Sequence, residues 1–166
     1  MSDFEMPPVN EEEEQDFGIA CLALPIQAAQ LLVPSVSIAE MALVAPIFPD
    51  NSGPDWFLGH YSWRTHRVPL ISFEKLTREQ GGGINPNGRI AVFNNTGVSS
   101  DLPFIAIPTQ GIPRVMNIRQ DNIFTTDTEA PGAYELMNVQ IEEEEMIVPD
   151  ISALEQAYCE FKDRLV

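Results

Sequence analysis

The chain has 166 residues, the length of one globular domain or of two small lobes sharing a core, which excludes a large multidomain assembly. Its 25 Asp and Glu outnumber 9 Lys and Arg, and the formal charge of −16 repels phosphate backbones and anionic headgroups, so neither nucleic acid nor membrane insertion is expected. With 44% hydrophobic and 20% charged residues, it still holds enough apolar material for a packed core.

Residues 1–17 carry Asp3, Glu5, Glu11–Glu14 and Asp16 without a single Lys or Arg, which predicts a solvated acidic tail ahead of a folded domain over 18–166. An acidic start is the reverse of a secretory signal, so a cytoplasmic location is expected. Gly18–Ala39 has no charged residue, but Pro25, Pro34, Gln27 and Gln30 interrupt it. It reads as two strands, Ile19–Leu24 and Leu31–Val33, and not as a membrane span.

Fourteen prolines spread along the chain leave few windows for interior helices, which favours a mostly β protein. Trp56–Trp63 alternates: Trp56, Leu58, Tyr61 and Trp63 are apolar, and His60, Ser62, Arg64 and His66 share the polar parity. Val68–Phe73 follows as a second apolar run, with Pro69 suggesting an edge strand or a bulge. Gly81-Gly-Gly-Ile-Asn-Pro-Asn-Gly88 is the strongest loop signal and places a joint between two halves near 78–88. Beyond it come strands at Arg89–Phe93 and Phe104–Ile107. A C-terminal amphipathic helix is predicted from Ile151, Leu154, Tyr158, Phe161 and Leu165, with Ser152 and Glu155 at capping-box spacing. Cys21 and Cys159 lack any metal-binding spacing and read as buried reduced thiols.

A shift of 78 residues lays the second half on the first without a gap. Trp56 falls on Tyr134, Tyr61 on Val139, Trp63 on Ile141, Leu70 on Val148 and Phe73 on Ile151, the pattern of an internal duplication. The polar positions invert in charge, because Arg64 falls on Glu142, His66 on Glu144 and Arg67 on Glu145.

Catalytic material is thin. Only His60 and His66 offer imidazoles, and no nucleophile elbow, P-loop or zinc-binding motif surrounds them. On one continuous strand they would lie roughly 20 Å apart, too far to share a metal ion. No enzymatic activity, cofactor or metal is expected. Glu142–Glu145 reads as a strand end and tight turn. The acidic segments also admit a regulatory binding module that engages a basic protein.

Gly59-His-Tyr-Ser-Trp-Arg-Thr-His-Arg-Val-Pro-Leu-Ile-Ser-Phe73 resembles the G-x-I-N-L-R-G-x-x-x-P-V-I-D-L signature of CheW-like domains, with Gly59, Arg64 and Pro69 identical. Leu31–Met41 resembles the family's Y-G-I-P-x-x-x-V-x-E-I segment through Pro34, Ile38, Glu40 and Met41, and Val44–Pro49 stands where it has I-x-x-V-P. Ser62, Thr65 and Ser72 depart from the signature, which makes the chain most similar to divergent ChpC-type accessory adaptors of type IV pilus chemosensory systems. The resemblance implies an all-β fold of two SH3-like five-stranded barrels with the C-terminal helix. It also implies a non-catalytic adaptor coupling a chemoreceptor cytoplasmic tip to the regulatory domain of a CheA-like histidine kinase, with twitching motility as the process served; the regulatory module for a basic protein is the reading outside chemosensing. Its implied partner-binding residues are Ile38, Glu40, Met41, Gly59, Ser62, Arg64 and Pro69.

Overall fold

The structure, a computed structural model, describes residues 18–50, 52–77, 81–126 and 130–165. The predicted acidic tail lies outside them. The elements in chain order are β1 (Ile19–Pro25), β2 (Gln30–Pro34), a 3-10 turn at Ser35–Ser37, β3 (Ile38–Leu43), β4 (Ile47–Pro49), β5 (Phe57–Trp63) and β6 (His66–Ile71). The short helix α1 (Phe73–Leu76) precedes β7 (Arg89–Asn94), β8 (Phe104–Pro108), β9 (Arg114–Ile118), β10 (Ile123–Thr125), β11 (Glu135–Ile141), β12 (Glu144–Pro149) and α2 (Ile151–Arg164). No helix among the described residues is long and apolar enough to cross a membrane. The uncharged stretch from Gly18 forms strands.

Two six-stranded sheets carry the fold, ordered β3-β7-β8-β6-β5-β4 and β9-β1-β2-β12-β11-β10. Read this way, they match strand for strand, including one parallel contact each, Leu70↔Ala106 in β6–β8 and Ile147↔Leu31 in β12–β2. Five strands per sheet were expected, and the sixth in each is the short edge strand β4 or β10. The strands on either side of 78–88, β6 and β7, share a sheet, and the chain passes between sheets after β2 and after β8.

The 78-residue shift is reproduced in three dimensions. It carries the bounds of β5 and β6 onto those of β11 and β12. The register irregularity at Phe57/Gly59 recurs at Glu135/Met137. The Ser72 N–H donates to the Trp56 carbonyl as the Asp150 N–H donates to that of Tyr134, both at 2.8 Å. Ser72 and Asp150 cap α1 and α2, each accepting from the N–H three residues on. The predicted capping box at Ser152 therefore gives way to Asp150. Ser152 instead bonds the Thr96 hydroxyl at 3.0 Å, and the buried Glu155 carboxylate accepts from the Thr96 N–H at 3.0 Å, tying the helix to the loop after β7.

Three apolar clusters explain the strand sequences. Tyr61, Trp63, Val68, Leu70, Ile90, Val92 and Ala106 fill the first sheet's own concavity, and Cys21, Ala23, Leu32, Val139, Ile141 and Met146 fill the second's. Between the sheets, Leu24, Leu31, Val33, Phe57, Ile71, Phe73, Phe93, Ile105 and Ile107 pack with Leu154 and Tyr158 of α2. Central strands are thus buried on both faces, and their sequences run apolar without alternation.

Some expectations need correction. In β5 the buried residues are Phe57, Gly59, Tyr61 and Trp63, while Leu58 is half-buried, because the irregularity at its start resets the parity that Trp56 and Leu58 suggested. Pro69 is buried in an interior strand, not an edge. Cys21 is buried, but Cys159 is only partly so; both are free thiols.

Gly59 has φ 124°, and a Cβ there would stand 2.1 Å from the Phe48 carbonyl oxygen. Gly59→Ala is therefore expected to destabilise the fold by about 2 kcal/mol or more in urea denaturation. Glu74 on α1 is 1% exposed, and among the described residues no group stands within full hydrogen-bond geometry of either carboxylate oxygen. Burial pushes its carboxyl up, only partly opposed by the backbone N–H groups of Glu74 and Gln27 and by Lys75. An acid held above its unfolded value loses stability as pH rises from the ordinary glutamate range through the raised value. Glu74→Gln should flatten that decline and raise the neutral-pH urea midpoint.

Candidate functional site

The β5–β6 hairpin carries the residues that the sequence singled out, and its turn places them. Trp63 pairs with His66, leaving Arg64 and Thr65 as a two-residue turn with Arg64 at φ 53°. Left-handed conformation at a non-glycine residue is uncommon and costs about 1 kcal/mol. Arg64 thus stands at the hairpin tip, not on the polar face of a strand. The duplicated hairpin places Glu142 at the same turn position with φ 57°.

Glu40 holds this tip to the opposite end of the sheet. The Trp63 indole N–H donates to Glu40 Oε2 at 2.9 Å, and an Arg64 Nη2 N–H reaches Oε1 at 3.4 Å. The Arg64 guanidinium lies over the Trp63 ring, 4.8 Å from its centroid. Nearby, the Tyr61 hydroxyl donates to the Leu43 carbonyl at 2.9 Å. These contacts join β5 to β3, strands far apart in the sheet order, and curl the sheet into a half-barrel. The Trp63 hydrogen bond first, and the Arg64 hydrogen bond and charge after it, hold the Glu40 carboxyl below the usual range against partial desolvation. As an ion pair Arg64–Glu40 is exposed and contributes little stability. Its effect is orientation: one edge of the guanidinium faces Glu40 and the remaining N–H donors face solvent, where they can take a carboxylate bidentately.

The other predicted residues distribute around this cluster. Ser62 is exposed on β5 opposite Arg67. Ile38 and Met41 are half-buried and pack on the core between the sheets, away from Arg64. Gly59 admits the β4 backbone, and buried Pro69 pairs with His60 and lines the groove beside it. Trp63, read from the sequence only as core, is the group that fixes Glu40. Its position beside the turn, with a polar N–H to satisfy, was the available signal. His60 and His66, expected on one strand, lie on adjacent strands because the turn separates them, and both line one groove.

The second half repeats the strand-to-hairpin link with its charges exchanged. Arg114 on β9, the counterpart of β3, bonds Glu144 at the start of β12 and also Gln30 at 3.1 Å. Glu144 accepts from Gln30 Nε2 at 3.0 Å as well.

The CheW-like domain family matches residues 20–157. Among solved structures, the scaffolding protein TtCheW from Thermoanaerobacter tengcongensis has the same fold, with a TM-score of 0.68 and 12% identity over 81% of this chain and 86% of that one. No curated protein sequence matches.

Glu40→Ala should leave the indole N–H of Trp63, itself 7% exposed, without its acceptor, and lower the urea midpoint of unfolding. In the native protein the Trp63 indole N–H resonance is expected to titrate with a midpoint below the ordinary glutamate value. Stability from this bond is present above the unfolded glutamate pKa and lost as pH falls through the lowered one. A midpoint at the ordinary value would contradict the assigned contact.

Proposed function

From its place in the CheW-like domain family, to which the chain belongs, we propose that this scaffolding adaptor of chemosensory signalling couples a chemoreceptor cytoplasmic tip to the regulatory domain of a CheA-like histidine kinase in the cytoplasm. The observation that carries the receptor side is the Glu40–Trp63–Arg64 cluster: an exposed guanidinium, oriented by a carboxylate and an indole at the tip of a rigid hairpin. A receptor helix presenting a carboxylate fits that geometry. Ser62 beside the tip and Thr65 within the turn replace the family's asparagine and glycine, which supports a divergent receptor choice. The finer reading is an accessory adaptor of the ChpC type, acting in a type IV pilus system that drives twitching.

Arg64→Gly removes the guanidinium at a backbone position that glycine accepts without strain. This variant should keep or slightly gain thermal stability while losing about tenfold or more in affinity for the receptor tip by calorimetry. Binding of the kinase regulatory domain should be unchanged. If the native protein retains neither a cognate receptor tip nor the kinase domain, the coupling reading fails. If deleting the gene leaves twitching intact, only the pilus assignment fails.

A further inference from the structure

We propose that the groove between the β5–β6 hairpin and the C-terminal turn of α2 is a binding site for a carboxylate-rich peptide, and that its occupant is the chain's own acidic segment, Asp3–Asp16. The groove encloses about 350 Å³ and is lined by His60, His66, Arg67, Phe104, Tyr158 and Lys162. Both histidines of the chain and two of its nine Lys and Arg therefore converge on one surface of a protein with 25 acids. Elsewhere among the described residues, Arg64, Arg114 and Arg119 are already paired with carboxylates. Arg67 and Lys162 form no ion pair among those residues, nor do Lys75, Arg89 and Arg164, but only Arg67 and Lys162 share a groove with the histidines; the Arg67 guanidinium lies over the Phe48 ring at 5.4 Å.

These cations act on one another through the groove. Burial lowers the proton affinity of His60 first, then the charge of Arg67, with a smaller push from Lys162; Asp50 opposes them. The Asp50 carboxylate is engaged by the Ser52 N–H and hydroxyl, and Asp101 is the one acid that lines the groove. Arg67 also acts on Tyr158. Among the residues that line the groove, Arg67 and Lys162 outnumber the single carboxylate, Asp101. His66 is held in place, stacked on Trp63 and edge-on to Phe104 at 4.9 Å.

The acidic segment matches this surface in charge, with seven carboxylates and no cation. It also reaches. Cys21 pairs with Pro34, the Val36 carbonyl accepts from Asn94 at 3.1 Å, and Asn94 pairs with Phe104 in the groove wall. With neighbouring strands about 5 Å apart, these steps place the start of β1 within a few tens of ångströms of the groove. The chain from Asp3 to Gly18 extends to about 50 Å.

The His60 imidazole supplies a readout inside the site. In the full chain, replacing Glu5 and Glu11–Glu14 by Gln is expected to lower the His60 titration midpoint in NMR and to shift the Phe104 and Lys162 amides. A peptide of residues 1–17 added to that variant should restore both signals, with affinity falling about tenfold or more between roughly 0.01 M and 1 M salt. Arg67→Gln with Lys162→Gln should abolish the response to the peptide. The proposal is overturned if the amide changes map to another face or if they depend on protein concentration, the mark of a second copy. It is equally overturned if inorganic phosphate at the same concentration reproduces the effect, the mark of a simple anion site. None of these outcomes depends on receptor or kinase binding.

Discussion

The core between the two sheets is the constraint on which the rest depends. β1 and β2 from one sheet and β7 and β8 from the other each direct alternate residues into that shared core and the intervening ones into their own sheet's concavity. Such strands can neither carry a charge nor slip by one residue without burying an unpaired polar group or opening a cavity. The α2 helix covers one side of the same core through Leu154 and Tyr158 and is fixed there by Glu155 and Thr96. Loops and hairpin tips are free to vary because this packing holds without them.

The duplication shows what varied. Both halves keep the hairpin, its early irregularity, the capped helical turn after it and a left-handed residue at the tip. They differ in the sign of the tip, Arg64 in one and Glu142 in the other. Both sheets link the far strand to the hairpin, Glu40 to Arg64 at the tip in one, and Arg114 to Glu144, the counterpart of His66, in the other. Solvent tolerates either sign at an exposed pair. The duplication therefore yields one scaffold with two chemically distinct ends.

Much of this was legible beforehand, and the misses have physical causes. The strands, the terminal helix and the repeat follow from periodicity, proline placement and the 78-residue register, whereas Arg64 and Glu40 stood out through the resemblance to CheW-like domains. The parity of Trp56 and Leu58 was misread because an irregularity near Gly59 shifts the pleat, and alternation assumes a regular one. Ser152 was mistaken for the cap because capping-box spacing ignores which residue a tertiary hydrogen bond has claimed. Pro69 suggests an edge strand or a bulge because a proline lacks the N–H that an interior strand normally uses. It lies in an interior strand, next to the register irregularity opposite Phe57 and Gly59, and the parallel contact of β6 is one pair, at Leu70 beside it.

The sequence by itself determined the β class, the twofold repetition, the opposite charge of the two tips and the shortage of catalytic groups, since each depends on residue types and their spacing along the chain. Tertiary structure alone decided that β1 and β2 complete the sheet of the last strands. It also decided that Trp63 orients Glu40 and that His60 and His66 face one groove with Lys162. Those outcomes depend on how a curled sheet and a folded-back hairpin bring distant residues together, and no local pattern encodes that closure.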